Sequence, residues 1–320
     1  NAVMVVPKLS GRRIVVSEDI GENTWMQQTA SVSYAGPVAA IVSTVLWGGA
    51  YVAMKFALEC FHPMIMIFLL LVVSSATFLA LLPSMRAKQR YTKGDWRIFL
   101  VLVICEPCLY FAFEGYALNY TSASQAGMLS ATLPIFVGAF GYFLLKEKIG
   151  LVAWLGCVIA IAGAVWLSVG SVADEHGPNP LLGNTLQISA MVFAALYAIC
   201  VRRLSRGYAP MFITAVQAWA GVSCFFPTLF LPGMGLPQGG ATALAWASIV
   251  YLGLGVSVGA YSLYGFSISR MPAARASMFM NLIPVFTLIF SMLILGERLA
   301  PSQYMASALV LGGVIISQRR

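Results

Sequence analysis

The sequence predicts an all-α integral membrane protein with ten transmembrane helices in two inverted repeats of five. Three observations carry that expectation: the composition, the placement of the basic residues, and a repeat at an offset of 150 positions. Of 320 residues, 60% are hydrophobic and 9% charged, and the mean hydropathy is +0.85. Soluble domains carry about 25% charged residues and at most about 50% apolar ones. No water-soluble fold of this size can hide so much apolar surface, so lipid must be its solvent. The composition excludes a soluble enzyme, a nucleic-acid binder and a disordered chain.

A spanning helix needs about 20 mostly apolar residues. That length recurs over Pro37–Leu58, Pro63–Leu82, Ile98–Leu118, Gln125–Leu145, Leu151–Val169, Leu182–Val201, Pro210–Leu231, Thr242–Ile268, Ala274–Leu295 and Ala300–Ser317. The first 34 residues are polar and mixed in charge, without the basic start and apolar core of a signal peptide. They are expected to form a cytoplasmic tail. The predicted organisation is thus a tail over 1–34, a first five-helix repeat over 35–170 and a second over 181–320.

Lys and Arg are retained on the cytoplasmic side of a membrane. With the N-terminus placed inside, 17 of the 19 basic residues fall in inner segments, Arg298 falls outside, and Lys55 lies within the first span. Dropping one helix would destroy this asymmetry, so the charges check the helix count. Both termini are expected to be cytoplasmic, in the cell (inner or plasma) membrane. The net charge of +8 therefore records topology, and nucleic acid is not implied as a partner.

The repeat aligns 121–150 with 271–300 without gaps, and eight of the thirty positions are identical. They include Ala123/Ala273, Pro134/Pro284, Phe136/Phe286 and Glu147/Glu297; the same offset pairs Trp96 with Trp246 and Gly163 with Gly313. Shared hydrophobicity would not place a proline, a glutamate and a tryptophan in one register. Five spans per repeat make the second copy enter from the opposite side. Inverted repeats with a site at their interface are a signature of alternating-access transporters.

The run Trp47-Gly48-Gly49-Ala50-Tyr51-Val52-Ala53-Met54-Lys55 resembles the first-helix motif of EamA-type carriers in the drug/metabolite transporter superfamily. Ala117-Leu118-Asn119-Tyr120-Thr121-Ser122-Ala123, followed by Pro134 and Leu144-Leu145-Lys146-Glu147, is similar to that family's third and fourth helices. The resemblance covers about residues 35–318. It implies two inverted five-helix bundles around a central cavity, and a carrier exporting amino acids or other small metabolites. It also implies that the first, third, sixth and eighth helices line the cavity, bringing Trp47, Tyr51, Tyr110, Tyr197, Tyr261 and Tyr264 to its wall. The third helix departs from the family's commonly uncharged pattern by carrying Glu106 and Glu114.

A charged side chain in a span costs about 2.5–3.5 kcal/mol on insertion scales and marks function by default. Glu106 and Glu114 meet that criterion; eight residues of regular helix place them about 80° apart on neighbouring faces. A desolvated carboxyl can take up and release a proton near neutral pH, or bind a substrate amine when ionised. Lys55 is the candidate counter-charge, for a substrate carboxylate or for a third-helix glutamate, with snorkelling to the interface as its other reading. Asn281 is a lesser polar candidate. Pro107 is expected to kink the third helix, while Pro134, Pro284, Gly255 and Gly259 are expected to serve kinks and close helix packing. Gly255-Val256-Ser257-Val258-Gly259 matches the nucleophile-elbow pattern, and Cys105-Glu106-Pro107-Cys108 has CxxC spacing. Both lie inside apolar spans without the strand-to-helix turn or second ligand pair that such chemistry needs.

The expected function is secondary transport of a small metabolite by alternating access, with the lipid bilayer, a small solute and protons as partners. The competing classes are an intramembrane enzyme acting on lipid, and a channel or sensor. No P-loop or zinc-ligand spacing occurs in the sequence, so no cofactor or metal is expected.

Overall fold

The computed structural model describes residues 34–85, 90–145, 150–234, 236–237, 240–270 and 279–318. Among the described residues, eight helices are long and apolar enough to cross a membrane: α1 (Ala35–Leu58), α2 (Pro63–Ala80), α3 (Asp95–Tyr120), α4 (Ala123–Leu144), α5 (Leu151–Val169), α6 (Pro180–Leu204), α7 (Pro210–Phe230) and α8 (Ala243–Ser267). Two shorter apolar helices follow, α9 (Ile283–Leu295) and α10 (Pro301–Ser317). Each predicted segment finds one helix. The start of the ninth predicted segment falls on 271–278, outside the described residues.

Local chemistry sets the helix starts. Proline is the first residue of α2, α6, α7 and α10, where its missing N–H costs nothing. Side-chain acceptors at the preceding residues hold free backbone N–H groups: His62 takes that of Met64, Ser122 that of Gln125, Asn179 that of Leu182 and Thr242 that of Ala245.

Helix α1 packs against α8 and α9, α3 against α6, and α2 against α7, so the two sequence halves interleave. The most extensive pairing joins α5 to α10. A Cβ at Gly156 would overlap the backbone of Ser317, and one at Gly163 would lie 2.7 Å from Val310 N. A Cβ at Gly313 would overlap the backbone of Ala160. The paired residues Gly163 and Gly313 thus serve one contact, in which small residues let two helix backbones touch.

The halves also share a bend. In α4 the helix loosens at Ala131-Thr132, where Thr132 N donates to Leu129 O at 3.0 Å, two residues before Pro134. The chain at Asn281-Leu282 repeats it: Leu282 N donates to Phe279 O at 2.9 Å, two residues before Pro284. Proline cannot donate to the preceding turn and crowds it, so the bend falls just before the ring in both places. Beside it, Gly127 has no room for a Cβ because the Thr287 side chain fills the space, and this seats α4 against α9.

Candidate functional site

The site is built on an interruption of α3. Glu106 has extended backbone (φ −148°, ψ 119°) within an otherwise helical run, as expected for a residue before proline, which is pushed out of the helical region. The Pro107 ring lies against α7, where a Cβ on Gly221 would come within 2.6 Å of Pro107 Cγ. The expected kink is present. The 80° separation expected for Glu106 and Glu114 is corrected, because no regular helix connects them.

Both carboxyls are buried, at 3% and 5% exposure, so each requires donors from protein. Glu106 Oε1 accepts from Gln217 Nε2 of α7 at 2.9 Å and from the Tyr261 hydroxyl of α8 at 3.2 Å. The Tyr197 hydroxyl of α6 donates to Gln217 Oε1 at 2.9 Å, which fixes which end of the amide faces the acid. Glu114 Oε1 accepts from the Tyr110 hydroxyl, one turn earlier on α3, at 2.6 Å. Its carboxyl also faces Gln187 of α6 and Tyr51 of α1, and Gln187 Nε2 donates to the Tyr51 hydroxyl at 3.5 Å. Each acid therefore has one amide and two phenols around it, and no basic side chain is among these partners.

Trp47 adds an aromatic wall. Its ring meets Tyr261 edge-on at 5.3 Å between centroids and Tyr264 at 5.5 Å. A cavity of about 20 Å³ lies beside Glu106's partners, lined by Ser74, Gln217, Ser257 and Tyr261 among others.

The structure therefore brings together Glu106, Glu114, Trp47, Tyr51, Tyr110, Tyr197, Tyr261 and Tyr264. Lys55 is placed elsewhere: its ammonium donates to His176 O at 2.6 Å, so it is not a partner of either third-helix acid. Asn281 is also remote, with its amide bonding Gln318 at 3.2 Å. Gly255 and Gly259 sit in a stretch of α8 with widened turns, facing Tyr251 and Leu46.

Sequence reasoning missed Gln187 and Gln217, whose signal was an amide inside an apolar run. It also left Glu297 as a repeat marker without a role. Glu297 is buried and accepts from Ala123 N and Ser124 N, each at 2.8 Å, and from Ser124 Oγ at 2.6 Å. Anionic side chains are stabilised at helix N-termini, so this carboxylate ties the α9–α10 connection to the start of α4. The His176 ring bonds Leu295 O at 3.1 Å, which links Lys55 and the 170–179 connection to the same end of the bundle.

Apolar helices around a buried polar site define a multi-pass membrane protein. The profile of the EamA-like transporter family matches residues 34–169 and again 181–318. The chain belongs to that family, which lies in the drug/metabolite transporter superfamily. It is therefore a small-molecule transporter by family. It is 27% identical to the uncharacterized transporter YetK of Bacillus subtilis over 293 residues, 91% of this chain and 87% of that protein. The uncharacterized transporter YdfC of the same organism is 30% identical over 84% of this chain and 86% of that one. A probable terminal-alkyne amino-acid exporter of Streptantibioticus cattleyicolor is 24% identical over 88% of this chain and 93% of its own. A solved crystal structure superposes with a TM-score of 0.62 over 88% of this chain and 98% of that one, at 18% identity.

Proposed function

We propose that the protein is a secondary active carrier that exports amino acids or related small metabolites by alternating access, with the proton as coupling ion. The carrying observation is the pair of buried acids, Glu106 and Glu114, held by amides and phenols with no basic partner. Such a carboxyl can be neutralised by a proton or by a cationic group, and exchange between these two states couples one flux to the other. The relative named as an amino-acid exporter supports the substrate class.

In this reading the ten helices form two inverted five-helix repeats, over 35–170 and 181–320, with both termini in the cytoplasm and 1–34 as a cytoplasmic tail. The basic residues support that orientation. The end tied by Glu297 is then the outer end, and its bonds to Ala123 and Ser124 close it. Opening there requires their release.

The test uses Glu106→Gln and Glu114→Gln in proteoliposomes under an imposed pH gradient. The expected result is that at least one substitution abolishes the dependence of flux on the gradient. Wild-type rate and pH dependence in both variants would defeat the coupling role.

A further inference from the structure

The two acids differ in what surrounds them. At Glu106 the neighbouring amide is satisfied at both ends, because Gln217 Nε2 donates to the acid and Gln217 Oε1 accepts from Tyr197. At Glu114 the corresponding amide is not. Gln187 is fully buried, its Nε2 donates to Tyr51, and its Oε1 has no hydrogen-bond partner among the described residues. A buried acceptor without a donor is rare in folded proteins. Here it belongs to the same amide that faces the Glu114 carboxyl.

We propose that Glu114, Gln187 Oε1 and the Tyr51 and Tyr110 rings form a subsite for the protonated primary amine of the substrate. An ammonium offers three N–H donors and no acceptor. The carboxylate supplies its charge partner, Gln187 Oε1 accepts a second N–H, and the tyrosine faces suit a desolvated cation. A substrate carboxylate finds no counter-charge among the groups that touch Glu106 or Glu114, since neither acid has a basic partner and Lys55 bonds His176 O instead. The amine is therefore the recognised group and a carboxylate is dispensable. Glu106, already saturated on Oε1, is left to the proton. This assignment rests on the carrier reading above and narrows its substrate class.

The test measures binding to the full-length purified protein of three compounds sharing one side chain: phenylalanine, 2-phenylethylamine and phenylpyruvate. The amino acid and the amine are expected to compete with each other, and the oxo acid to bind at least tenfold more weakly. Gln187→Leu is expected to weaken amine binding at least tenfold. Gln187→Glu, which keeps an acceptor at that position, is expected to restore it to within threefold of wild type. The assignment is overturned by oxo-acid binding as tight as that of the amine, by binding of none of the three, or by wild-type amine affinity in a monodisperse Gln187→Leu protein. Saturable, gradient-driven flux of the oxo acid would leave the carrier reading standing and refute the subsite. Saturable amine binding without flux of any compound would do the reverse.

Discussion

At the residue scale, the proposed function rests on a few polar groups whose burial demands partners. Gln217 is fixed by Tyr197 so that its N–H faces Glu106. Gln217→Leu removes one donor from a buried acid, a loss of about 1.5–3 kcal/mol. Gradient-driven flux in proteoliposomes is expected to fall about tenfold or more; an unchanged rate would show that the amide is not used. The acids were legible in the sequence because a charge stands out in an apolar run. The glutamines were not: an uncharged amide raises no comparable alarm, and Gln217 and Glu106 lie 111 positions apart. That Lys55 bonds His176 O and neither third-helix acid was not legible either, since nothing local announces that this carbonyl lies within its reach.

At the element scale, packing and capping set the helices. Gly313 and its neighbour Gly312 make a matched pair. A Cβ on Gly313 meets the Ala160 backbone, whereas a Cβ on Gly312 meets nothing within 4 Å. Gly313→Ala is expected to lower the melting temperature in detergent, at a cost of about 1–3 kcal/mol for overpacking, while Gly312→Ala leaves it unchanged or slightly raised. Equal melting of both variants would contradict the α5–α10 contact.

The start of α2 carries a pH dependence. Burial holds the His62 imidazole below its ordinary 6.5, and its neutral Nδ1 accepts from Met64 N at 3.3 Å. The folded chain binds this proton less readily than the unfolded one, so the contribution is full above about pH 6.5 and is lost as the pH falls below it. His62→Asn keeps a cap without a titrating ring and is expected to flatten melting temperature against pH in that window. The helix boundaries were readable from proline and cap residues. The interruption of α3 was readable as Pro107, but the extended backbone of Glu106 changes how the two acids face each other and needed the fold.

At the scale of the whole molecule, the repeat seen at an offset of 150 becomes a physical correspondence. The bends before Pro134 and Pro284 and the paired glycines of α5 and α10 recur in matching places. The repeat was visible because it preserves residues that shape helices. The tie between the α9–α10 connection and the start of α4 was not, since Glu297 acts on backbone N–H groups 174 and 173 positions away. Ser124 Oγ and Ser291 Oγ lie 2.6 Å apart at that end. In a background lacking the native cysteines, oxidation of a Ser124→Cys/Ser291→Cys pair is expected to block transport, and reduction to restore it. Full flux in the cross-linked protein would show that this end does not open.

The proposed coupling of flux to protons runs through the buried acids. Its most direct measurement is uptake of labelled phenylalanine into proteoliposomes holding the purified chain, with and without an inward-acid pH gradient. Saturable uptake is expected that rises with the gradient and collapses when a protonophore removes it, and this dependence is expected to be lost in Glu106→Gln. Uptake that never saturates, or saturable uptake indifferent to the gradient in the wild-type protein, would contradict it.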